Sequence, residues 1–146
     1  MGSNLDSVES NLDSYLGKFG GSVEITQFRK AYLRLVLMFK EELGTTQLEG
    51  ALELQKHLVG GQYDKSILDD LEKSCRESAN QNLKNDASMT REALLNQMLF
   101  GALLDSEETD FFYVTEPMFL FAKEMDVAAA ELEEILVSEF SELNRV

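Results

Sequence analysis

Apolar residues recur at intervals of three and four positions along almost the whole chain, in seven stretches separated by glycine, proline or polar residues. Such spacing places them on one face of an α-helix. In the first stretch, that face consists of Leu5, Val8, Leu12, Tyr15, Leu16 and Phe19. Proline occurs once, at Pro117, and no stretch alternates apolar and polar residues as a half-buried strand does. The sequence therefore predicts an all-α fold, a single bundle of about seven helices.

The second stretch is the most apolar of the seven. A helix that opens at Ser22 or Thr26 and continues to Leu43 would be apolar around nearly its whole circumference. Such a helix belongs in the middle of a bundle. We therefore expect it to be the most buried helix, and expect Phe39→Ala to cost about 3–5 kcal/mol.

Turn and capping residues predict where the next helices begin and end. Gly44 is expected to supply a left-handed stop, and Thr46 to Glu49 has the spacing of a capping box. Gly60 and Gly61 end this third helix, and Asp64 is a suitable cap for the fourth. The residues expected to point inward are Leu48, Ala51, Leu52, Leu58 and Val59 on the third helix, and Ile67, Leu68, Leu71 and Cys75 on the fourth.

The remaining helices follow a polar, amide-rich run. Residues 80–87 predict a seam between two helical halves of one domain that spans residues 1–146, a length near the usual size of one domain. A fifth helix is expected from Ser88. Pro117 fits the first turn of the sixth helix with Thr115 as its cap. A break at Asp126 precedes a last helix over residues 128–143. The residues expected on its inward stripe are Leu132, Ile135, Leu136, Phe140 and Leu143.

Acidic residues are concentrated at one end of the chain. The protein has 27 acids and 13 bases, a net charge of −14. Residues 92–146 hold 13 acids but only Lys123 and Arg145 as bases, so this part carries −11. Nucleic acids and anionic membranes need a basic surface and are poor partners for it. Metal cations and proteins with a basic surface fit the charge, although the acids could also serve only solubility.

Cysteine and histidine occur once each, as Cys75 and His57. A disulfide framework and a zinc site of four Cys or His ligands are therefore excluded within one chain. No lysine follows His57 as in phosphotransfer domains, and Cys75 lies in line with buried positions. Glycine-rich phosphate loops and nucleophile elbows are also absent from the sequence. We therefore expect a non-enzymatic protein.

Membrane and export signals are also missing from the sequence. The most apolar segment, residues 31–43, is interrupted by Arg34 and Lys40, and falls short of the roughly 20 residues of a membrane span. Residues 1–10 lack the basic start and apolar stretch of a signal peptide. We expect a soluble, cytoplasmic protein without membrane insertion.

Residues 105–116 have the spacing of calcium ligands. Counting twelve positions from Asp105 puts an oxygen-bearing side chain at 1, 3, 5, 9 and 12, but Asp110 occupies the glycine position of a regular calcium loop. A looser site for calcium or another divalent cation is the expectation, with a solvated acidic segment as the alternative. The candidate metal ligands are Asp105, Glu107, Glu108, Asp110 and Glu116.

Aromatic residues are dense immediately after these acids. Most of them must be core, because a helix turns only one stripe inward, but a few could line a groove ringed by acids. The candidate partner-binding residues are Phe111, Phe112, Tyr113 and Phe119. A protein with a basic surface is the expected partner.

The carboxy-terminal half resembles a known family. The segment REALLNQMLFGALLD (91–105), the acids after it, Glu116 with an apolar helix, and MDVAAAELEEIL (125–136) are similar to the second half of tellurite-resistance TerB-like helical domains. The resemblance covers roughly residues 88–140, and the first half only in helix order. It implies a single bundle of about seven helices and an acidic surface linked to metal cations. Ala102 and Asp105 correspond to an Ala-x-Ala-Asp-Gly turn, with Ser106 in place of its glycine.

A second, thinner resemblance concerns the segment from Asp105 to Tyr113. It is similar to the acidic loop and following helix of BART-type domains that bind Arf-like small GTPases. This resemblance implies the alternative function, a protein-interaction adaptor without metal. Calcium binding would distinguish the two interpretations.

Overall fold

The described part of the chain is entirely helical, which confirms the predicted all-α class. The computed structural model describes residues 4–19, 25–85, 90–103 and 111–140. These ranges contain no strand, and none of their helices combines the length and apolar content needed to cross a membrane. The helices are α1 (Asn4–Phe19), α2 (Ile25–Leu37), α3 (Thr45–Leu58), α4 (Lys65–Asn85), α5 (Arg91–Leu103), α6 (Phe111–Glu124) and α7 (Ala129–Glu139).

The chain divides into two compact units. The first comprises residues 1–31 and 105–146, and the second comprises residues 32–104. Helix α2 contributes to both units. The predicted seam at residues 80–87 stays a prediction. Helix α4 includes residues 80–85 of the predicted seam, and residues 86 and 87 lie outside the described part of the chain.

In the first unit, α1 packs against α6 and α7. The rings of Phe28 and Phe140 meet edge to face at 5.0 Å between centroids, and Tyr15 approaches Phe140 at 5.9 Å. This geometry brings the positive edge of one ring to the negative face of another. The predicted inward stripe of α7 is confirmed for Leu132, Ile135, Leu136 and Phe140, and Leu143 lies outside the described residues.

In the second unit, α4 packs against α3 and α5. A Cβ atom added at Gly50 would lie 2.7 Å from Leu71 Cβ, so the backbone of α3 comes very close to α4. Gly101 makes a similar approach, since a Cβ there would lie 2.7 Å from Tyr32 Cε2. Glycine therefore sets the distance between neighbours at both positions.

Helix α2 is largely buried. Seven of its twelve described side chains from Thr26 to Leu37 are buried, and the other five are partly buried. The helix nevertheless ends at Leu37, six residues before the predicted end, and a 3₁₀ turn follows over Lys40–Glu42. Phe39 is only half-buried. The predicted cost of Phe39→Ala is therefore too large, because a half-covered ring loses less burial and leaves a smaller cavity.

A pair of residues far apart in sequence explains the position of this turn. The Arg91 guanidinium donates to both carboxylate oxygens of Glu42, at 2.8 and 2.7 Å, and lies 5.6 Å from the centre of the Phe39 ring. Continued helix would carry Phe39 and Glu42 away from these contacts. A bidentate arginine pair fixes geometry more strongly than a single hydrogen bond.

Two predictions about α3 are wrong. The helix begins at Thr45 with Gly44 as its cap, Gly44 has an extended backbone (φ −70°), and no side chain caps the helix. Leu52 and Val59 are exposed rather than inward. The buried face instead carries Gly50, Ala51, Leu54 and Leu58, because the close approach of α4 at Gly50 rotates the other residues outward.

The predicted turn between α3 and α4 is confirmed. Gly60 has φ +82°, its N–H donates to His57 O, and the Gly61 N–H donates to Lys56 O. These two bonds form a Schellman motif, which closes the end of α3. The Asp64 carboxylate then accepts the Ser66 N–H at 3.0 Å and caps α4.

Helix α6 starts earlier than predicted. Its backbone is helical from Phe111, so Pro117 is the seventh residue of the helix rather than part of its first turn, and Thr115 is not the cap. Proline has a helical φ and removes one hydrogen bond to the residue four positions before it. The apolar residues around Pro117, buried at Met118 and Phe121, favour the continued helix.

The predicted start of α5 at Ser88 lies outside the described residues. In the described part, the Thr90 hydroxyl oxygen caps α5 by accepting a hydrogen bond from the Ala93 N–H at 3.1 Å.

The break at Asp126 is confirmed and has an unusual backbone. Asp126 has φ +59°, its N–H donates to Lys123 O, and the Val127 N–H donates to Ala122 O. This is a second Schellman motif, with aspartate where glycine is usual. Helix α7 follows and ends at Glu139, before the predicted end at residue 143.

Replacing Asp126 by glycine is expected to stabilise the protein. The left-handed conformation strains a residue with a Cβ, and glycine removes that strain at some cost in chain entropy. We expect Asp126→Gly to raise the free energy of unfolding by about 0.5–1 kcal/mol, measured by urea denaturation. Asp126→Val, which adds a β-branched side chain at the same φ, should lower it, and a lower stability for the glycine variant would contradict the assignment.

Candidate functional site

The predicted ligand segment lies mostly outside the described residues. Asp105, Glu107, Glu108 and Asp110 are not described. The backbone of residues 111–116 is helical, whereas the side chains of Phe111, Phe112, Tyr113 and Glu116 lie outside the described part. Phe119 is 8% exposed and belongs to the core of the first unit. The predicted metal and partner-binding roles therefore stay predictions.

The described residues that follow this segment in the chain include a group of exposed acids. Five exposed carboxylates lie at the carboxyl end of α6, in the following turn and on α7: Glu124, Asp126, Glu131, Glu133 and Glu134. We call them the α6–α7 acidic surface. They are exposed because α7 turns Leu132, Ile135 and Leu136 into the core, which leaves the intervening positions in water.

Positive charge is scarce around this surface. Lys123 is the one base in the sequences of α6 and α7. Within the described ranges, no ion pair involves any of the five carboxylates. Uncompensated like charges raise the local negative potential and attract basic partners, more strongly at low salt.

The described carboxylates do not form a chelating cluster. Among the described residues, no group of three or more His, Cys, Asp or Glu side chains is placed to hold a metal ion. Calcium takes six to eight oxygen ligands. The carboxylates of the α6–α7 acidic surface are therefore too dispersed to chelate a cation, and the predicted cation ligands at 105–116 lie outside the described side chains.

The turn between α3 and α4 contains a second group of polar residues. The Glu53 carboxylate accepts the Lys56 ammonium at 2.8 Å and the Asp64 backbone N–H at 2.9 Å. The His57 ring lies 4.3 Å from the Tyr63 ring. Hydrogen bonds from Lys56 and Asp64 lower the pKa of Glu53, and hydrogen bonds from Ser66 lower the pKa of Asp64. These bonds stabilise the ionised carboxylates.

This turn should lose stability in acid. Folding lowers the pKa of Glu53 from its ordinary 4.5 and the pKa of Asp64 from its ordinary 3.8. The two carboxylates therefore stabilise the fold above these ordinary pKa values, and this stability is lost as the pH falls through the lower pKa values of the folded state. We expect the Glu53→Gln, Asp64→Asn double variant to show a shallower fall in melting temperature below about pH 4.5. Asp70→Asn, at an exposed carboxylate of α4, is the matched control. Equal acid slopes for all three proteins would contradict this assignment.

Cys75 lies in the core, as its spacing predicted. It is 2% exposed, and burial raises the pKa of its thiol to about 11. A thiol with this pKa is neutral at pH 7 and a poor nucleophile. Its sulfur lies 3.9 Å from Asn96 Oδ1, and the Asn96 amide donates to Ser78 Oγ at 3.2 Å. The buried polar side chain of Asn96 is therefore paired across α4 and α5.

Sequence reasoning missed Asn96 and the Glu42–Arg91 pair. Asn96 lies within a run of apolar residues at helical spacing, which predicts an inward position. No residue near it in the sequence indicates its hydrogen-bond partner, Ser78 of α4. Glu42 and Arg91 are 49 positions apart. The exposed acids of α7 could have been found, because they occupy the positions between its predicted inward residues.

Comparisons of the chain with protein-family models, with curated proteins and with solved structures gave no match. The resemblances to TerB-like domains and to BART-type domains therefore stay predictions.

Proposed function

We propose that the chain is a non-enzymatic helical module that binds a protein with a basic surface through its acidic carboxy-terminal third. The segment 105–116 is the centre of the proposed binding surface, and the α6–α7 acidic surface, which begins at the other end of α6, adds negative charge that attracts the same partner. The observation that carries the proposal is the charge distribution, since residues 92–146 account for −11 of the net −14.

The exposure of the α6–α7 acidic surface supports this function. Its five carboxylates are exposed, and none is neutralised by a described base. A partner with lysine or arginine side chains would form ion pairs there without first breaking existing ones. Complementary charge of this kind mainly raises the association rate and selects against acidic partners.

A capture experiment tests the proposed function. The wild-type chain, immobilised, is exposed to cell lysate at low and at high salt. The loop variant carries Asp105→Asn, Glu107→Gln, Glu108→Gln and Asp110→Asn, and a control variant carries Asp69→Asn, Asp70→Asn and Glu77→Gln at exposed positions of α4. We expect basic proteins to be retained by the wild type at low salt and lost mainly with the loop variant. Retention of the same proteins by all three chains would contradict the proposal.

A divalent cation is the second candidate ligand, and the twelve-residue spacing from Asp105 to Glu116 favours it. Close carboxylates repel one another, and a bound cation would relieve this repulsion. A ligand that binds only the folded state stabilises it by about 2.7 kcal/mol at a hundredfold excess over Kd. If calcium binds, millimolar calcium raises the melting temperature of the wild type and not of the loop variant. An unchanged melting temperature rejects the cation and leaves the protein partner as the ligand to test.

A further inference from the structure

Helix α3 carries an exposed apolar ridge on the side opposite α4. Leu52 is 45% exposed and Val59 at the helix end is 69% exposed. Together with the half-buried Leu48 and the exposed Gln55, they recur at intervals of four, three and four. This alternation is the spacing with which one helix meets another in a two-stranded coiled coil. We call these four residues the α3 ridge.

Charges beside the α3 ridge are complementary to those of a second, antiparallel copy. Glu49 and Lys56 are both exposed and lie seven residues apart, so they flank the ridge on the same side. In an antiparallel pair, Glu49 of each chain would face Lys56 of the other, because the two-fold axis repeats every contact. In a parallel pair, Glu49 and Lys56 of one copy would lie on the opposite side of the seam from those of the other copy, so these ion pairs would not form.

The local charge also permits self-association. The net charge of −14 opposes contact between copies over most of the surface. Residues 45–59 contain only two acids, Glu49 and Glu53, and one base, Lys56. The α3 ridge is thus nearly neutral. Lys56 lies 2.8 Å from Glu53 of its own helix, but its side chain is 58% exposed and its ammonium has three N–H donors, so it can also bind Glu49 of a second copy.

We propose that a second copy of this chain docks on the α3 ridge, with the two α3 helices antiparallel and Leu52 of each copy near the two-fold axis. This surface is distinct from the acidic surface of the proposed function. Helix α3 has 14 residues and is about 21 Å long. A contact made by one such helix falls below about 1,200 Å², the range of weak and transient complexes. The dimer is therefore weak and reversible.

Sedimentation equilibrium of the full chain from about 10 to about 500 μM at about 0.15 M salt, which screens the repulsion of the net charge, tests the dimer, since weak interfaces form at micromolar or higher concentration. We expect the apparent mass to rise from monomer towards dimer. Leu52→Glu should raise the dimer dissociation constant at least about tenfold. Leu120→Glu, at a 48% exposed leucine of α6, is the matched control and should leave it unchanged. Melting curves verify that both variants fold.

Charge reversal tests the antiparallel arrangement. Either single substitution, Glu49→Lys or Lys56→Glu, would place like charges opposite each other at both symmetry-related contacts. Each should therefore weaken the dimer. The double variant restores opposite charges and should regain most of the wild-type association. A wild-type chain that stays monomeric at the highest concentration would overturn the proposal and leave the ridge to another protein or to solvent. A dimer insensitive to Leu52→Glu, or one that the double reversal does not restore, would overturn it equally.

Discussion

Phe28→Ala is expected to lower the free energy of unfolding by about 3–5 kcal/mol. Phe28 is 1% exposed, and its ring meets Phe140 at 5.0 Å between centroids. Truncation removes the buried ring from the core and leaves a cavity that rigid helices fill only in part. The edge-to-face contact with Phe140 is lost as well. Urea denaturation of the wild type and the variant measures the difference.

Phe39→Ala is the control for this prediction, because it deletes the same atoms from a half-buried site. Phe39 lies beneath the Arg91 guanidinium near the surface, where water can replace the ring. We expect a clearly smaller loss than for Phe28→Ala. Equal losses at the two positions would show that the core of the first unit is not packed as described.

Gly50→Ala is expected to destabilise the protein by about 1–3 kcal/mol, although alanine is the better helix former. A Cβ at this position would lie 2.7 Å from Leu71 Cβ and 2.7 Å from Leu71 Cδ2. The Leu71 Cβ atom is fixed to the backbone of α4, so a change of rotamer cannot relieve the clash. Helices α3 and α4 would have to move apart.

Gly17→Ala provides the matched control for Gly50→Ala. No atom lies within 4 Å of a Cβ placed at Gly17, which is an exposed position of α1. Alanine there should stabilise the protein by roughly 0.5–1 kcal/mol through helix propensity alone. Thermal and urea denaturation should therefore give opposite signs for the two substitutions. A stabilising Gly50→Ala would contradict the close packing of α3 on α4.

Features set by neighbouring residues could be predicted from the sequence. The Asp64 cap and the turn at Gly60 depend on side chains and backbone conformations within a few positions. The inward stripes of α1 and α7 follow from apolar spacing alone. These parts of the fold are present as predicted, at Leu12 and Leu16 of α1 as well as at Leu132 and Leu136 of α7.

Features set by tertiary contacts could not be predicted in this way. The early end of α2 depends on Glu42 meeting Arg91, which no local pattern indicates. The outward rotation of Leu52 depends on the approach of Leu71 to Gly50. Pro117 was expected at a helix start because its missing N–H costs nothing there, yet burial of the surrounding apolar residues favours a longer helix.

The candidate site could be predicted only as a pattern of charge and spacing. Glu131, Glu133 and Glu134 of α7 are exposed at positions between its inward residues. The roles of the segment 105–116 depend on how its carboxylates and aromatic rings converge, and spacing along the chain does not determine that convergence.

Association kinetics of a captured basic partner test the central claim, that the acidic carboxy-terminal third is the binding surface. The partner is purified and its association and dissociation rates are measured with the wild type, the loop variant and the α4 control variant at several salt concentrations. We expect the loop variant to associate at least about tenfold more slowly at low salt, with a smaller difference at high salt and little change in dissociation. Equal association rates and affinities for the wild type and the loop variant at low salt would contradict the claim.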